Sequence, residues 1–352
     1  MRLALILGMA PMLTCQYPVS FSELPGTIKF IDIEADVTED YVRIDVRYTL
    51  ERVTSAGAYT LPAPPQALAV IKTGSGTIHQ VSNTRGVPDT LFKGRVGETY
   101  QLRVTTEGKI YESTMETMRP CPEMDSLIVQ YSRESYRDEA DLLYDGFDIY
   151  AQASDIAGVE NFYQWHWIHY IKAVQCKKVF DPELDKEAYI PCFPHTCWNF
   201  IQNQRVIVQK DNLRGGQDLT QYVVRVPFST PPNRYFLRVE QRSITPTVFE
   251  HLKSLEAQTE TVGTLFDIPA QTRFSPNIIN TSDRSEKILG VFNVYSYRYK
   301  TVVIDMIKDI AGAKVKTLID YTPWHSNLAL VPPAPCTEET YRTQKRPEGW
   351  VD

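Results

Sequence analysis

Residues 235–242, YFLRVEQR, alternate without a break: Tyr235, Leu237 and Val239 fall on one side, Arg238, Glu240 and Arg242 on the other. A period of two marks a strand with one buried and one wetter face. The period then changes. Thr245 offers a hydroxyl cap, and Pro246 suits a first helical position because its missing N–H needs no partner there. Val248, Leu252 and Leu255 recur at i, i+4 and i+7. Together they predict a helix near residues 246–260 with one apolar stripe against a core, ending before Gly263. The stretch 265–269 is too short for a second helix, and its expected role is to carry Phe266 back over the packed face. Residues 277–280 and 290–299 return to strand chemistry.

Elsewhere the strand period dominates. Val42, Ile44, Val46, Tyr48 and Leu50 alternate with Arg43, Asp45, Arg47 and Thr49 after a turn at Thr38-Glu39-Asp40, and Tyr100, Leu102 and Val104 lead into a Glu107-Gly108 turn. The expected fold is mainly β: an N-terminal immunoglobulin-like β-sandwich over 28–118, then a larger β-rich domain over 119–330 with one or two helices, and a tail over 331–352. The boundary is placed at the prolines around Cys121. Phe162 to Val174 is the strongest strand of the second domain. Tyr163, Trp165, Trp167, His169 and Ile171 face one way, and Phe162, Gln164, His166, Ile168 and Tyr170 the other. Either the strand is central in a sandwich, or one face is a binding platform; large aromatics more often fill cores. KTVVIDMIKDIAG, around Val302, Ile304 and Met306, reads as a last strand or a short helix.

The first fourteen residues carry Arg2 and then an apolar run too short to span a bilayer, so 1–14 reads as a secretory signal peptide. By resemblance to bacterial lipoproteins, Met12-Leu13-Thr14-Cys15 is a loose lipobox that makes Cys15 the lipidated residue, although Thr14 is larger than usual there. Residues 15–27, with Pro18, Pro25 and Gly26, form a tether. The expected partners are therefore a membrane, through the lipid anchor, and no nucleic acid. The formal charge of −6 comes without a basic block, and phosphate binding needs concentrated positive charge.

Candidate chemistry gathers in one place. His166, His169, Cys176, Cys192, His195 and Cys197 lie close in sequence, yet three-residue spacing on a strand sends His166 and His169 to opposite faces. In an oxidising envelope, neighbouring cysteines are more often disulfides than metal ligands. Cys176, Cys192 and Cys197 are the disulfide candidates: Cys197 bonds Cys192 or Cys176, or Cys176 bonds Cys192, and the remaining one reaches Cys121 or Cys336 or stays free. No metal and no cofactor is expected. The carboxylates Asp138, Glu139, Asp141, Asp145 and Asp148 miss calcium-loop spacing and read as a solvated loop. Gly74-Ser75-Gly76 has no following Lys-Ser/Thr and reads as a turn, and no nucleophile elbow or zinc-protease motif is present.

Several pieces resemble one family: Ser243-Ile244-Thr245-Pro246 with Phe249 to Leu255, Gly263 to Asp267, Asn277-Ile278 before Leu289-Gly290-Val291-Phe292, Asn161 to Trp165, Cys197-Trp198, and a tail with Cys336 and Arg346-Pro347-Glu348-Gly349-Trp350. The family is the Bacteroidota envelope lipoproteins known as domain of unknown function 4249. In its tail a second cysteine often follows Cys336 where Glu339 stands here. The resemblance implies an outer-membrane, lipid-anchored protein that is not an enzyme and that assists a TonB-dependent outer-membrane receptor. A structural or assembly subunit of a secretion or gliding machine is the alternative, and a metal-dependent enzyme the third reading. The expected partner surface lies on two aromatic-rich strands, at Trp165 and Trp167 and at Tyr295, Tyr297 and Tyr299, because aromatics left partly exposed are enriched at interfaces.

Overall fold

The computed structural model describes residues 30–350 apart from 50–51, 54–58, 61–64, 138–142, 155, 157, 159, 174, 182–185, 194–196, 204, 212–217, 228–233, 261–273, 306–333 and 339–340. The leader, the tether and Cys15 lie outside the described residues, as do Asp138, Glu139, Asp141, His195, Gly263, Phe266 and Met306.

The fold is mainly β, and its first half follows directly from alternation. Ile31–Val37 pairs antiparallel with Val42–Tyr48, so Ile31, Ile33, Ala35 and Val37 lie beside Val42, Ile44 and Val46, and all seven are buried. Thr38 makes the turn, its hydroxyl accepting from the amides of Asp40 at 3.2 Å and Tyr41 at 3.0 Å. A second sheet built on Ala67–Thr73, Thr99–Thr106 and Lys109–Ser113 contributes Ala69, Ile71, Tyr100, Leu102, Val104 and Tyr111 to the same core.

This sandwich does not close at residue 118. Ile278–Asn280 adds to Lys109–Ser113, while Ile288–Leu289 and Phe292–Val294 run parallel to Ile31–Val37. Residues 278–294, expected in the second domain, therefore complete the first. The reason is local and polar. Asn277 is buried, and its side chain acts as a short strand: the amide donates to the Phe292 carbonyl at 2.7 Å, and its oxygen accepts from the Phe292 amide at 3.1 Å. At Gly290 φ is +85°, and an added Cβ would overlap the Ile33 carbonyl, so only glycine lets the chain approach so closely.

The second sandwich faces a sheet of Met124–Arg137, Leu143–Ser154 and Asp218–Pro227 against one running Ser296–Asp305, Arg234–Ser243, Phe162–Lys172, Trp198–Gln202 and Arg342–Thr343. Between them lie Phe147, Ile149, Tyr163, Trp165, Tyr235, Leu237, Val239 and Ile304. The expected acidic loop is corrected in part. Asp145 and Asp148 sit on a strand and are buried, Asp145 accepting from the Tyr131 hydroxyl at 2.7 Å and Asp148 pairing with Arg225 at 2.7 Å.

The helix spans Pro246–Glu260, with the Thr245 hydroxyl 3.5 Å from the Val248 amide at its start. Val248, Phe249 and Leu252 are buried with Phe162 and Tyr295, and Leu255 packs alongside. Phe292–Val294 and Ser296–Asp305 are separated by Tyr295 alone. One extended run thus serves a sheet of each sandwich, and it fixes where their surfaces meet.

Candidate functional site

The sheet of these five strands, joined by Val208–Lys210 on Phe162–Lys172, has one dry face and one mixed face, and the mixed one gathers most of the unusual side chains. Register places them in rows: Gln164, Arg242 and Tyr297; His166, Glu240 and Tyr299; Ile168, Arg238 and Thr301; Tyr170, Phe236 and Val303. Both ends are covered. At the first, the turn of the N-terminal sandwich reaches over: the Tyr41 and Tyr295 hydroxyls are 3.4 Å apart, and the Tyr297 hydroxyl donates to Asp40 at 2.5 Å. At the far end Trp350 lies against Trp198 and Phe236, and Gly349, at φ +87°, passes over the Phe236 ring. In the middle rows Tyr299 and Thr301 are exposed, while His166, Ile168, Arg238 and Glu240 are half-buried.

Charge in this trough is paired. Glu240 accepts from Arg242 at 2.6 Å and lies 3.4 Å from Arg238. The Arg238 guanidinium stacks 3.7 Å from the centre of the Tyr299 ring, which stays 44% exposed. Burial, then the positive charge of Arg242, pushes His166 down to about 4, so it is neutral at pH 7. Burial and the bond to Asp40 hold the Tyr297 hydroxyl above its ordinary range. Beside the trough a crevice of about 420 Å³ is lined by Glu39, Asp40, Glu123, Tyr297, Arg298 and Tyr299. Arg298 spans it, 3.0 Å from Glu39 and 2.7 Å from Glu123. Guanidinium, ring and carboxylate groups presented this way suit contact with a polar surface.

The expected aromatic platform is therefore corrected residue by residue. Trp165 is fully buried and Trp167 packs partly buried in the same core, because their alternation points them at the opposing sheet. Tyr295 is also interior, at 1% exposure, beneath the helix and beside the Tyr41 turn. Tyr297 is half-buried and Tyr299 exposed, on a strand that among the described residues pairs on one side only. Sequence reasoning missed Arg238, although its place opposite Leu237 and Val239 already marked it as outward.

His169, on the dry face, is buried between Trp167 and Tyr235, neither ring nitrogen hydrogen-bonded among the described residues, and burial pushes it down to about 4. His166 and His169 face opposite ways, as their spacing required.

The cysteines form a separate centre at the tail end of the sheet. Cys176 bonds Cys192 and Cys197 bonds Cys336: of the alternatives left open, this is the one in which Cys176 joins Cys192 and the remaining cysteine reaches Cys336, and not a bond of Cys197 to Cys192 or Cys176. The tail sets this pairing: Ala334–Pro335 runs parallel to Cys192–Phe193, and Arg342–Thr343 pairs with Trp198–Asn199, which carries Cys336 to Cys197. Cys121 is free and buried, its thiol pushed up to about 12 by burial. The sulfurs of Cys176, Cys192 and Cys197 lie within 4.8 Å of one another.

The motifs of the resembled family thus resolve into fold-making devices: the Thr245-Pro246 cap, the Asn277 bridge, the Gly290 approach and the tail strap. A comparison with curated proteins finds no match. Over residues 29–301 the chain matches a domain of unknown function, DUF4249, and it belongs to that family.

Proposed function

We propose that this protein is a non-enzymatic, lipid-anchored outer-membrane protein of Bacteroidota that serves as a binding or accessory subunit of a TonB-dependent receptor. The observation that carries the reading is the partly exposed middle of the trough. There an exposed Tyr299 is held by Arg238 on an edge strand, next to a crevice with both charge signs. Tyr and Arg in this pairing are the residues that most often anchor protein interfaces. The anchoring half rests on the short apolar leader that ends at Cys15.

Capture of the full-length lipoprotein from native outer membrane tests both halves. The reading expects a TonB-dependent receptor among the captured proteins, and expects Cys15→Ala to move the protein from the membrane to the soluble fraction. Capture of secretion components without a receptor favours the assembly-subunit alternative. Unchanged detergent dependence of Cys15→Ala, with cleavage at another site, removes the anchor.

A further inference from the structure

Four cysteines meet at one point, and the two disulfides they form touch. The Cys176 sulfur, in one bond, lies 3.7 Å from the Cys197 sulfur, in the other. That is van der Waals contact, the distance from which a thiolate attacks a disulfide sulfur. The four differ in access. Cys192, Cys197 and Cys336 are buried at 0%, 0% and 2% exposure, whereas Cys176 is partly exposed. Cys176 also lies in a basic setting: the Arg342 guanidinium donates to its carbonyl at 3.1 Å, and Lys177 follows it on the exposed surface. Positive charge beside a partly exposed cysteine favours its thiolate.

We propose that Cys176–Cys192 is a redox entry site for a dithiol reductant, and that Cys176 then passes the exchange inward to free the tail. In the first step a thiolate of the dithiol bonds the Cys176 sulfur and Cys192 leaves as thiolate. The reductant's second thiolate attacks its own sulfur in that mixed disulfide, which releases Cys176 as thiolate and the reductant as a disulfide. Two electrons have entered, and the two protons of the dithiol remain with solvent or the new thiols. In the second step the Cys176 thiolate attacks Cys197, the Cys176–Cys197 bond forms, and Cys336 leaves as thiolate. That step is isoelectronic: one disulfide replaces another.

The consequence follows from what Cys336 holds. Residues 334–350 contribute two short strand pairings and the Trp350 contact with Trp198 and Phe236, at the covered end of the trough. Once Cys336 is free, no disulfide ties the tail to the sheet, and noncovalent contacts such as these hold Trp350. Arg342 belongs to the same tail segment, so the group that favours the Cys176 thiolate is carried by the strap it would release.

The test uses the oxidised full-length protein and one molar equivalent of dithiothreitol, followed by rapid alkylation and peptide mapping. The proposal expects the singly reduced product to carry a Cys176–Cys197 bond with Cys192 and Cys336 alkylated. Alkylation confined to Cys176 and Cys192, with Cys197–Cys336 intact, overturns it, as does first alkylation at Cys336 while Cys176–Cys192 persists. Cys192→Ser supplies an independent arm, since it leaves Cys176 as a standing thiol without added reductant. Expected there is alkylation of Cys336 that grows with pH as the Cys176 thiolate forms. A Cys336 that stays unreactive in a folded Cys192→Ser protein also overturns it, and if that variant fails to fold, the limiting-reduction result on the unaltered chain decides alone.

Discussion

Two faces of one sheet, drawn from alternate residues of the same three strands, have opposite characters. On the inner face Trp165, Val239, Leu237 and Ile304 are buried against a second sheet. On the outer face His166, Arg238, Glu240 and Tyr299 are only partly covered. Aromatic content does not separate them, since both faces carry large rings. What separates them is what lies across: a whole sheet on one side and, among the described residues, a turn, a helix and a tail on the other. Tyr295, Tyr297 and Tyr299 show the rule within a single run. They share one parity, yet go from interior through half-buried to 44% exposed as the chain leaves the junction between sandwiches.

Substitution on the dry face and its borders should have the largest effects. Trp165→Ala is expected to cost about 3–5 kcal/mol, the range for deleting a large buried aromatic, read as a lower denaturation midpoint. Leu252→Asp should cost several kcal/mol as well, because it places a charge in the buried stripe of the helix. If either melts like the unaltered protein, the assignment of these residues to a core fails.

Acid should act through His169. Its folded value, about 4, lies below the ordinary 6.5, so between these values the unfolded chain binds the proton and the folded one does not. Stability is complete above pH 6.5 and falls as pH drops toward 4, by roughly 2–3 kcal/mol for this one group. Denaturant titrations at pH 7 and 4.5 should show the loss, and His169→Phe should make it smaller. Equal pH dependence in the two proteins would contradict it.

Smaller still is Tyr297→Phe, which deletes the hydroxyl bond to Asp40 and keeps the ring against Tyr295. A cost of about 1 kcal/mol is expected, and a double-mutant cycle with Asp40→Asn should show the two changes to be non-additive. Full additivity would mean that this bond does not couple the sandwiches.

Much of the fold was legible because alternation and capping are local. The helix over 246–260, the strand over 235–242 and the opposed directions of His166 and His169 all follow from spacing. What was not legible depended on distant pairings. Residues 278–294 read as strand, but nothing local says that they pair with Ile31–Val37 and with Lys109–Ser113; Asn277 and Gly290 show it only once their partners are in place. Cys197 finds Cys336 across 139 residues, through a strand pairing of the tail that spacing does not encode. The site was half visible. Tyr299 was named from its alternation, while Trp165 and Tyr295 were misplaced because period gives a residue's face and not what covers it.

Tyr299→Ala together with Arg238→Ala removes the exposed ring and its guanidinium from the middle of the trough. Thermal melting and receptor co-purification would be measured on the full-length protein carrying both changes. We expect a melting temperature within a few degrees of the unaltered protein, since a ring 44% exposed contributes little to burial, and loss of most of the co-purified receptor. Undiminished receptor capture by a folded double variant would contradict the claim that this face is where the partner binds.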